Sequence, residues 1–262
     1  LSALLTRTKV FPVIHSINIY ENSTILSKVV AGILYRTLAS KVICISPTVK
    51  EYCIKGLGIK EERIVSINNG IDFKRILKYQ TNIDYGEGLI FAVLGRLEHV
   101  KGYDILLETL GKERIKNLNW HLKIIGDGSE ANNLLEKTLV NSISNKVTFL
   151  GAQKHPFAFL KHVHYLVMPS RREGLPLSLV EALGFGIPVI GSNVGVIPQI
   201  IKNGFNGFVF INEDHDMLAD IILKCYDLSP HNHHEMSSNA KTSVNQFSID
   251  RCLMGYLNLL ES

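Results

Sequence analysis

Two glutamates give the first hint of chemistry. Glu173 and Glu181 lie eight residues apart in the stretch PSRREGLPLSLVEALGFGIPVIGSNVGVIPQ, residues 169–199. On a single helix they would be about 80° apart around the axis. Pro176 suits the first turn of a helix, which leaves Glu173 in the preceding loop and Glu181 about a turn and a half in. A loop carboxylate accepts hydrogen bonds from sugar hydroxyls, and a helix carboxylate deeper in a site accepts from a ribose diol. Between them, the amides from Gly174 to Ser178, across Leu175 and Leu177 (Pro176 has none), meet the positive end of the helix, an anion site. A nucleoside diphosphate sugar presents ribose, diphosphate and sugar in about that order. The plainer alternative is two surface glutamates, one of them capping.

A second group converges on the same ligand type. Gly95-Arg96-Leu97 follows the apolar run Leu89–Leu94, and Lys101-Gly102 opens the next helical segment. A glycine lets the chain turn at a strand's carboxyl end, where open parallel sheets bind ligands. Arg96 as a fork and Lys101 as a point charge could then both reach a diphosphate. The alternative is a solvated basic loop.

These residues need a scaffold, and the pattern provides one. Short β-branched runs alternate with helical-period segments along the chain, the mark of βαβ units and a parallel sheet. Strands are expected at 11–14, 41–46, 64–67, 89–94, 120–125, 146–150, 165–168, 188–190 and 207–210. Helices are expected at 24–41, 48–57, 101–117, 129–143, 176–185 and 217–228, with two more closing the chain. The helix at 24–41 carries the apolar stripe Ile25, Leu26, Val29, Val30, Ile33, Leu34 and Leu38 beside Lys28, Arg36 and Lys41. It reads as core-facing with a solvated basic face, or as a membrane-surface element. Periodicity fades from Asp72 to Gly88, the best linker candidate. Two α/β doubly wound domains follow: 1–84, then 85–246, with 247–262 as a closing helix.

The ordered set Gly95-Arg96, Lys101-Gly102, Gly126-Asp127-Gly128, Phe149-Leu150-Gly151, Pro169-Ser170-x-x-Glu173-Gly174, Glu181-Ala182 and Gly186-x-Pro188-Val189 resembles the large retaining glycosyltransferase family 4, or group 1, of the glycogen-synthase and mannosyltransferase type. The resemblance implies the GT-B architecture of two Rossmann-like domains. It also implies a nucleotide sugar as co-substrate, UDP favoured over GDP, with no cofactor and no metal. In that reading Arg96 and Lys101 hold the diphosphate, and Glu173 binds the donor sugar beside the Gly174 and Leu175 amides. Pro176 and Leu177 open the helix, Glu181 binds the ribose, and main-chain groups at Phe149–Gly151, with Gly126 nearby, line the base. His15, in VIHS, matches a histidine that lies beside the donor sugar from the acceptor side. A glycan or lipid-linked acceptor is implied, in bacterial surface polysaccharide assembly, with the enzyme cytoplasmic or at the inner face of the membrane. Departures are Val196, where a second glycine is usual, and Gln199, where glutamate is preferred.

Other features compete. Gly126-Asp127-Gly128-Ser129-Glu130-Ala131 fits a dinucleotide fingerprint but follows the domain's second strand and lacks a ribose carboxylate about twenty residues on. Asp214-His215-Asp216 resembles a metal motif but sits where a helix cap is expected. His231, His233 and His234 read as loop residues beside Pro230. The charge, +4 from 28 basic and 24 acidic residues, is spread without runs, which argues against nucleic acid. Four scattered cysteines suit a reducing compartment. Two doubly wound domains need roughly 350 residues. At 262 residues starting with Leu1, the expectation is a first domain lacking its first strands. An alternative function is then a non-catalytic nucleotide-sugar-binding module. A sugar epimerase on the same fold would want a histidine and carboxylates at the sugar's C2, which cannot be placed.

Overall fold

The computed structural model describes residues 9–15, 24–79 and 88–261. The chain divides into two compact units, residues 1–70 with 249–262, and residues 71–248.

The first unit holds a parallel sheet in the order β1 (Val13–Ile14), β2 (Val42–Cys44), β3 (Ile64–Ser66). Alternation along β2 splits its side chains between two faces. Val42 and Cys44 pack with Val49 and Cys53 of α2 (Pro47–Lys55). Ile43 packs with Leu259 of the closing helix, Ile249–Glu261.

Helix α1 (Ile25–Leu38) is capped by Thr24, whose hydroxyl accepts from the Ser27 amide. Its orientation corrects the core-facing expectation. Ile25, Leu26, Val29, Val30, Ile33 and Leu34 are all exposed, Ile25 at 81%. The helix packs instead through Ala31, Gly32 and Tyr35. Gly32 permits this: a Cβ there would stand 2.8 Å from the Leu57 carbonyl oxygen. Glycine at this position lets the two backbones approach closely.

The second unit begins earlier than the pattern suggests. Asp72 caps α3 (Phe73–Leu77), accepting from the Arg75 amide. Ile76 is buried in the unit's core and Phe73 packs beside it. The Ile71 amide donates to the Phe247 carbonyl, 2.7 Å. Residues 71–79, read from sequence as the end of a first domain and a linker, therefore pack within the second unit, because one short apolar turn finds a partner there. Residues 80–87 lie outside those described.

The unit's six-stranded sheet is parallel throughout. Its strands are β4 (Leu89–Leu94), β5 (Trp120–Ile125), β6 (Val147–Gly151), β7 (Tyr165–Met168), β8 (Val189–Ser192) and β9 (Gly207–Phe210). Their spatial order is β6-β5-β4-β7-β8-β9, the doubly wound arrangement expected. β4 and β7 are buried neighbours, with Phe91 opposite Tyr165. The single helix expected at 101–117 is two, α4 (Tyr103–Leu110) and α5 (Glu113–Lys116), separated at Gly111. The later helices are α6 (Ala131–Val140), α7 (Leu177–Phe185), α8 (Ile197–Ile200), α9 (His215–Tyr226) and α10 (Pro230–Ser243).

Both histidine and Asp-x-Asp readings resolve here. Asp214 caps α9, accepting from the Asp216 and Met217 amides at 3.1 and 2.8 Å. His231, His233 and His234 are not in a loop. Ser229 caps α10 with Pro230 in its first turn, so the three histidines fall on helix. His233 is buried, and its Nε2 donates to the His164 carbonyl at 3.0 Å. Its ring stands edge-on to Tyr165, 4.9 Å between centroids.

Burial, reinforced by the nearby His234 charge and opposed by the His164 carbonyl, pushes the His233 pKa down. The unfolded chain then binds the proton more readily than the native one. This contribution to stability is complete above the unfolded value of about 6.5 and is lost as pH falls from there through the folded value. Melting temperatures measured from pH 8 to pH 5 should fall on the acid side. In His233→Gln, which keeps a donor without the titration, that window should be flatter. An equally steep fall in the variant would clear His233 of the effect.

Candidate functional site

The order of the second sheet reverses between β4 and β7. Connections leaving these neighbours go to opposite sides, which opens a crevice at their carboxyl ends. Two segments border it: Gly95–Gly102 after β4, and Pro169–Pro176 after β7.

The structure brings Lys101 and Glu173 into direct contact across this crevice. Glu173 Oε1 accepts from Lys101 Nζ at 2.7 Å and from Ser170 Oγ at 2.8 Å. The Glu173 side chain is 8% exposed and that of Lys101 21%. Lys101 ends a short 3-10 turn, and Gly102, at φ +65°, turns the chain into α4. A Cβ on Gly102 would lie 2.0 Å from the Pro169 carbonyl oxygen, so only glycine lets the two segments meet. On the other side Gly195, at φ +56°, comes equally close to the Glu173 carbonyl: a Cβ there would be 2.1 Å away. Ser192 Oγ donates to the Ser170 carbonyl at 2.5 Å. Tyr103 is buried nearby, and burial together with the Glu173 charge raises its phenol pKa.

Arg171 was not singled out from sequence, where it occupies an unspecified position between Ser170 and Glu173. Its guanidinium makes two parallel 2.8 Å bonds to the Asp104 carboxylate. It also donates to Glu213 Oε1 and to the His99 carbonyl, each at 2.8 Å. Burial opposes the Asp104 charge, but the guanidinium overrides it and holds that carboxyl below its ordinary range. Arg171 thus fastens the Glu173 loop to the segment bearing Lys101. The available signal was an Arg beside a motif glutamate with Asp104 near the start of the next helix, and sequence does not show that pairing.

Helix α7 opens toward the same crevice. Pro176 is its N-cap, so the helix starts one residue later than expected, and Pro176 offers no side-chain hydrogen bond to the first-turn amides. Gly174 is exposed, with open space where a Cβ would project. Leu175 and Leu177 flank Pro176. Glu181 lies half-buried in the second turn of α7. Burial raises its pKa, and Arg75 of α3 partly offsets that. α3 reaches α7 through Phe73, which occupies the space above Gly184. Arg75 is the second residue missed, because its helix lies in the stretch read as linker.

The remaining expected residues are placed less tightly. Arg96 is 74% exposed and paired with Glu98, so Arg96 and Lys101 have separate carboxylate partners. Gly95, Gly126 and Gly151 stitch three strand ends together. The Gly95 amide donates to Ile125 and the Gly126 amide to Gly151, at 3.1 and 2.9 Å. A Cβ on Gly126 would meet the Gly95 carbonyl at 1.8 Å, and one on Gly128 the Leu97 carbonyl at 2.4 Å. Close approach of one backbone to another therefore accounts for both glycines of the apparent dinucleotide fingerprint. Phe149 and Leu150 are half-buried on β6, and the Leu150 carbonyl accepts from Gln153. His15 follows β1 in the first unit and is exposed; Ser16 lies outside the described residues. Among the described residues no group of three metal-ligating side chains converges. No described helix is long and apolar enough to cross a membrane.

Arg171→Ala should lower unfolding free energy by about 2–3 kcal/mol, since it leaves Asp104 without its cation. Arg171→Lys should recover less than half, because an ammonium cannot form the fork. Denaturant titration measures both, and a loss under 0.5 kcal/mol for the alanine variant would show that the clasp is dispensable.

Comparison with known proteins fits this geometry. The profile described as "Glycosyl transferases group 1" matches residues 77–243, and that of "Glycosyltransferase Family 4" matches residues 1–75. An uncharacterized glycosyltransferase of Methanocaldococcus jannaschii is 29% identical, over 86% of this chain and 60% of its own. The lipopolysaccharide 1,6-galactosyltransferase of Salmonella typhimurium is also 29% identical, over 73% of this chain and 59% of its own. The chain spans three fifths or less of the length of these relatives. Among solved structures, Anabaena HepE in complex with UDP superposes with a TM-score of 0.87 at 22% identity, over 99% of this chain and 74% of HepE. The lipopolysaccharide outer core galactosyltransferase WaaB gives 0.72 at 24% identity, over 86% of this chain and 62% of WaaB. The architecture is GT-B, and the chain belongs to the group 1, family 4 glycosyltransferases.

Proposed function

We propose that this chain binds a nucleotide-diphosphate sugar in the β4–β7 crevice, and that it moves the sugar with retention to a glycan or lipid-linked acceptor. The observation that carries the reading is the Lys101–Glu173 pair beside the uncapped start of α7. A diphosphate needs fixed positive charge and amide donors, and a sugar needs hydroxyl acceptors. Both lie on two segments that meet at the sheet's reversal.

In this reading the diphosphate lies on the first amides of α7. The Lys101 ammonium has three donors, one of them engaged by Glu173. It shares its charge with the phosphate as the bond to the sugar breaks. Charge grows on the leaving diphosphate while the sugar becomes oxocarbenium-like, so this preorganised positive end stabilises the transition state more than the ground state. Arg96, exposed on the neighbouring turn, adds a second cation by leaving Glu98. The reading requires no metal, since these groups supply the charge. Glu173 keeps its second oxygen for the sugar hydroxyls, and Glu181 serves the ribose. The acceptor attacks the face that the diphosphate leaves, and a phosphate oxygen takes its proton.

UDP is favoured as carrier, supported by HepE, which has been solved with UDP and with UDP-glucose. A setting in surface polysaccharide assembly, with a lipid-linked acceptor, is supported by relatives such as the Escherichia coli galactosyltransferase acting on GlcNAc-diphosphoundecaprenol, 28% identical over 80% of this chain and 57% of its own.

Calorimetric titration should show UDP binding more tightly than GDP, with Lys101→Ala weakening UDP at least tenfold. Glu173→Gln should keep UDP affinity within about threefold while slowing release of sugar from UDP-glucose or UDP-galactose at least a hundredfold. Absence of UDP binding at millimolar concentration would overturn the site. UDP binding with no sugar release by the unaltered chain would reduce it to a donor-binding module.

A further inference from the structure

A second cavity lies at the other end of the same sheet. It has a volume of about 460 Å³, within the range of roughly 300–1,000 Å³ for small-ligand pockets. It sits where the chain enters edge strand β9, at the amino end of the sheet, whereas Lys101 and Glu173 sit at the carboxyl end. Its walls come from the turn before β9, from α9 and from α10.

The lining has a recognisable chemistry. Phe205 is 42% exposed, an aromatic ring held at the surface of a turn. Phe208 and Met236 form an apolar floor, with Lys224 Nζ 5.1 Å from the Phe208 ring centre. Three amide side chains, Asn203, Asn232 and Asn239, stand around it with Glu235. Each amide offers two donors and an acceptor, and the carboxylate accepts. One cation and one anion leave the cavity without net charge, so nothing in it selects a phosphate or other anion.

The turn is built, not incidental. The Asn203 side-chain oxygen accepts from the Val209 amide at 2.7 Å. The Asn206 side-chain oxygen accepts from the Lys202 amide at 2.7 Å, and its amide nitrogen donates to the Ile200 carbonyl at 3.0 Å. Gly207, at φ +155°, brings the turn against β8, where a Cβ would be 2.0 Å from the Val189 carbonyl. These contacts hold Phe205 at the cavity rim although it is exposed.

We propose that this cavity binds a neutral saccharide, the C–H face of one sugar ring lying on Phe205 and its hydroxyls shared among the Asn203, Asn232, Asn239 and Glu235 side chains. A saccharide is the ligand class that combines an apolar face with a rim of hydroxyls each able to donate and accept, and it carries no charge. The assignment rests on this cavity alone and does not require the donor reading. The site would hold a glycan on the second unit at the end of the sheet away from the crevice.

The test is a saturation-transfer NMR and calorimetric titration of the whole chain with galactose, glucose, N-acetylglucosamine, lactose and maltose, with UDP titrated in parallel. At least one of these saccharides should bind at millimolar concentration. Phe205→Ala and Asn232→Ala, both at exposed positions, should each weaken it at least fivefold and leave UDP affinity within twofold. Failure of every saccharide to bind at 50 mM, or binding that neither substitution weakens, overturns the proposal. Loss of UDP affinity together with saccharide affinity would place the sugar at the crevice and overturn it equally. If UDP fails to bind at all, the donor reading falls while the saccharide titration still decides this one.

Discussion

A carboxylate whose side chain is only 8% exposed must be matched by positive charge and hydrogen bonds, because burying an unpaired charge is costly. Glu173 is in this position, and Lys101 and Ser170 supply the match. The requirement reaches outward, because Lys101 and Glu173 sit on segments leaving adjacent strands in opposite directions. Bringing them to 2.7 Å requires Gly102 against Pro169 on one side and Gly195 against Glu173 on the other, positions where a single Cβ would collide with backbone. A pair of this burial contributes little net stability, yet removing one partner strands the other charge. Its worth lies in fixing where a charge and an acceptor stand.

Arg171 supplies the stiffness that the pair itself does not. It joins the loop of Glu173 to Asp104 at the start of α4, and to Glu213 ahead of α9. The loop is thus tied to the segments that follow the sheet's first strand, β4, and its last, β9. A flexible loop would present Glu173 over a range of positions, whereas preorganised groups need no rearrangement as charge develops.

The strands of the second unit were readable because both faces of a parallel sheet are covered, and the resulting apolar runs are hard to mistake. Helices were less so. The stripe on α1 is strongly apolar, yet it is exposed, and the helix packs through a face where Gly32 lets the Leu57 backbone come close. The turn at Phe73–Leu77 is too short to show a period, and it is held by packing on α7 rather than by propensity. The histidines after Pro230 looked like loop residues because a proline beside them reads as a break, whereas proline is also well suited to a helix's first turn. Ser229 and Pro230 start the helix, and burial of His233 sustains it.

Local pattern by itself determined the parallel α/β class and the six strands of the second unit, and it picked out Glu173, Glu181, Lys101 and Arg96 as the candidates now proposed to meet a nucleotide sugar. These follow from side-chain type and from spacing of two or 3.6 residues, which neighbouring residues settle between themselves. Only the tertiary structure decided that Lys101 takes Glu173 as its partner while Arg96 takes Glu98, that Arg171 and Arg75 belong beside the crevice, and that α1 turns its apolar stripe outward. Each depends on segments far apart in the chain meeting at a few ångströms, and that distance is set by glycines and packing that no local period records.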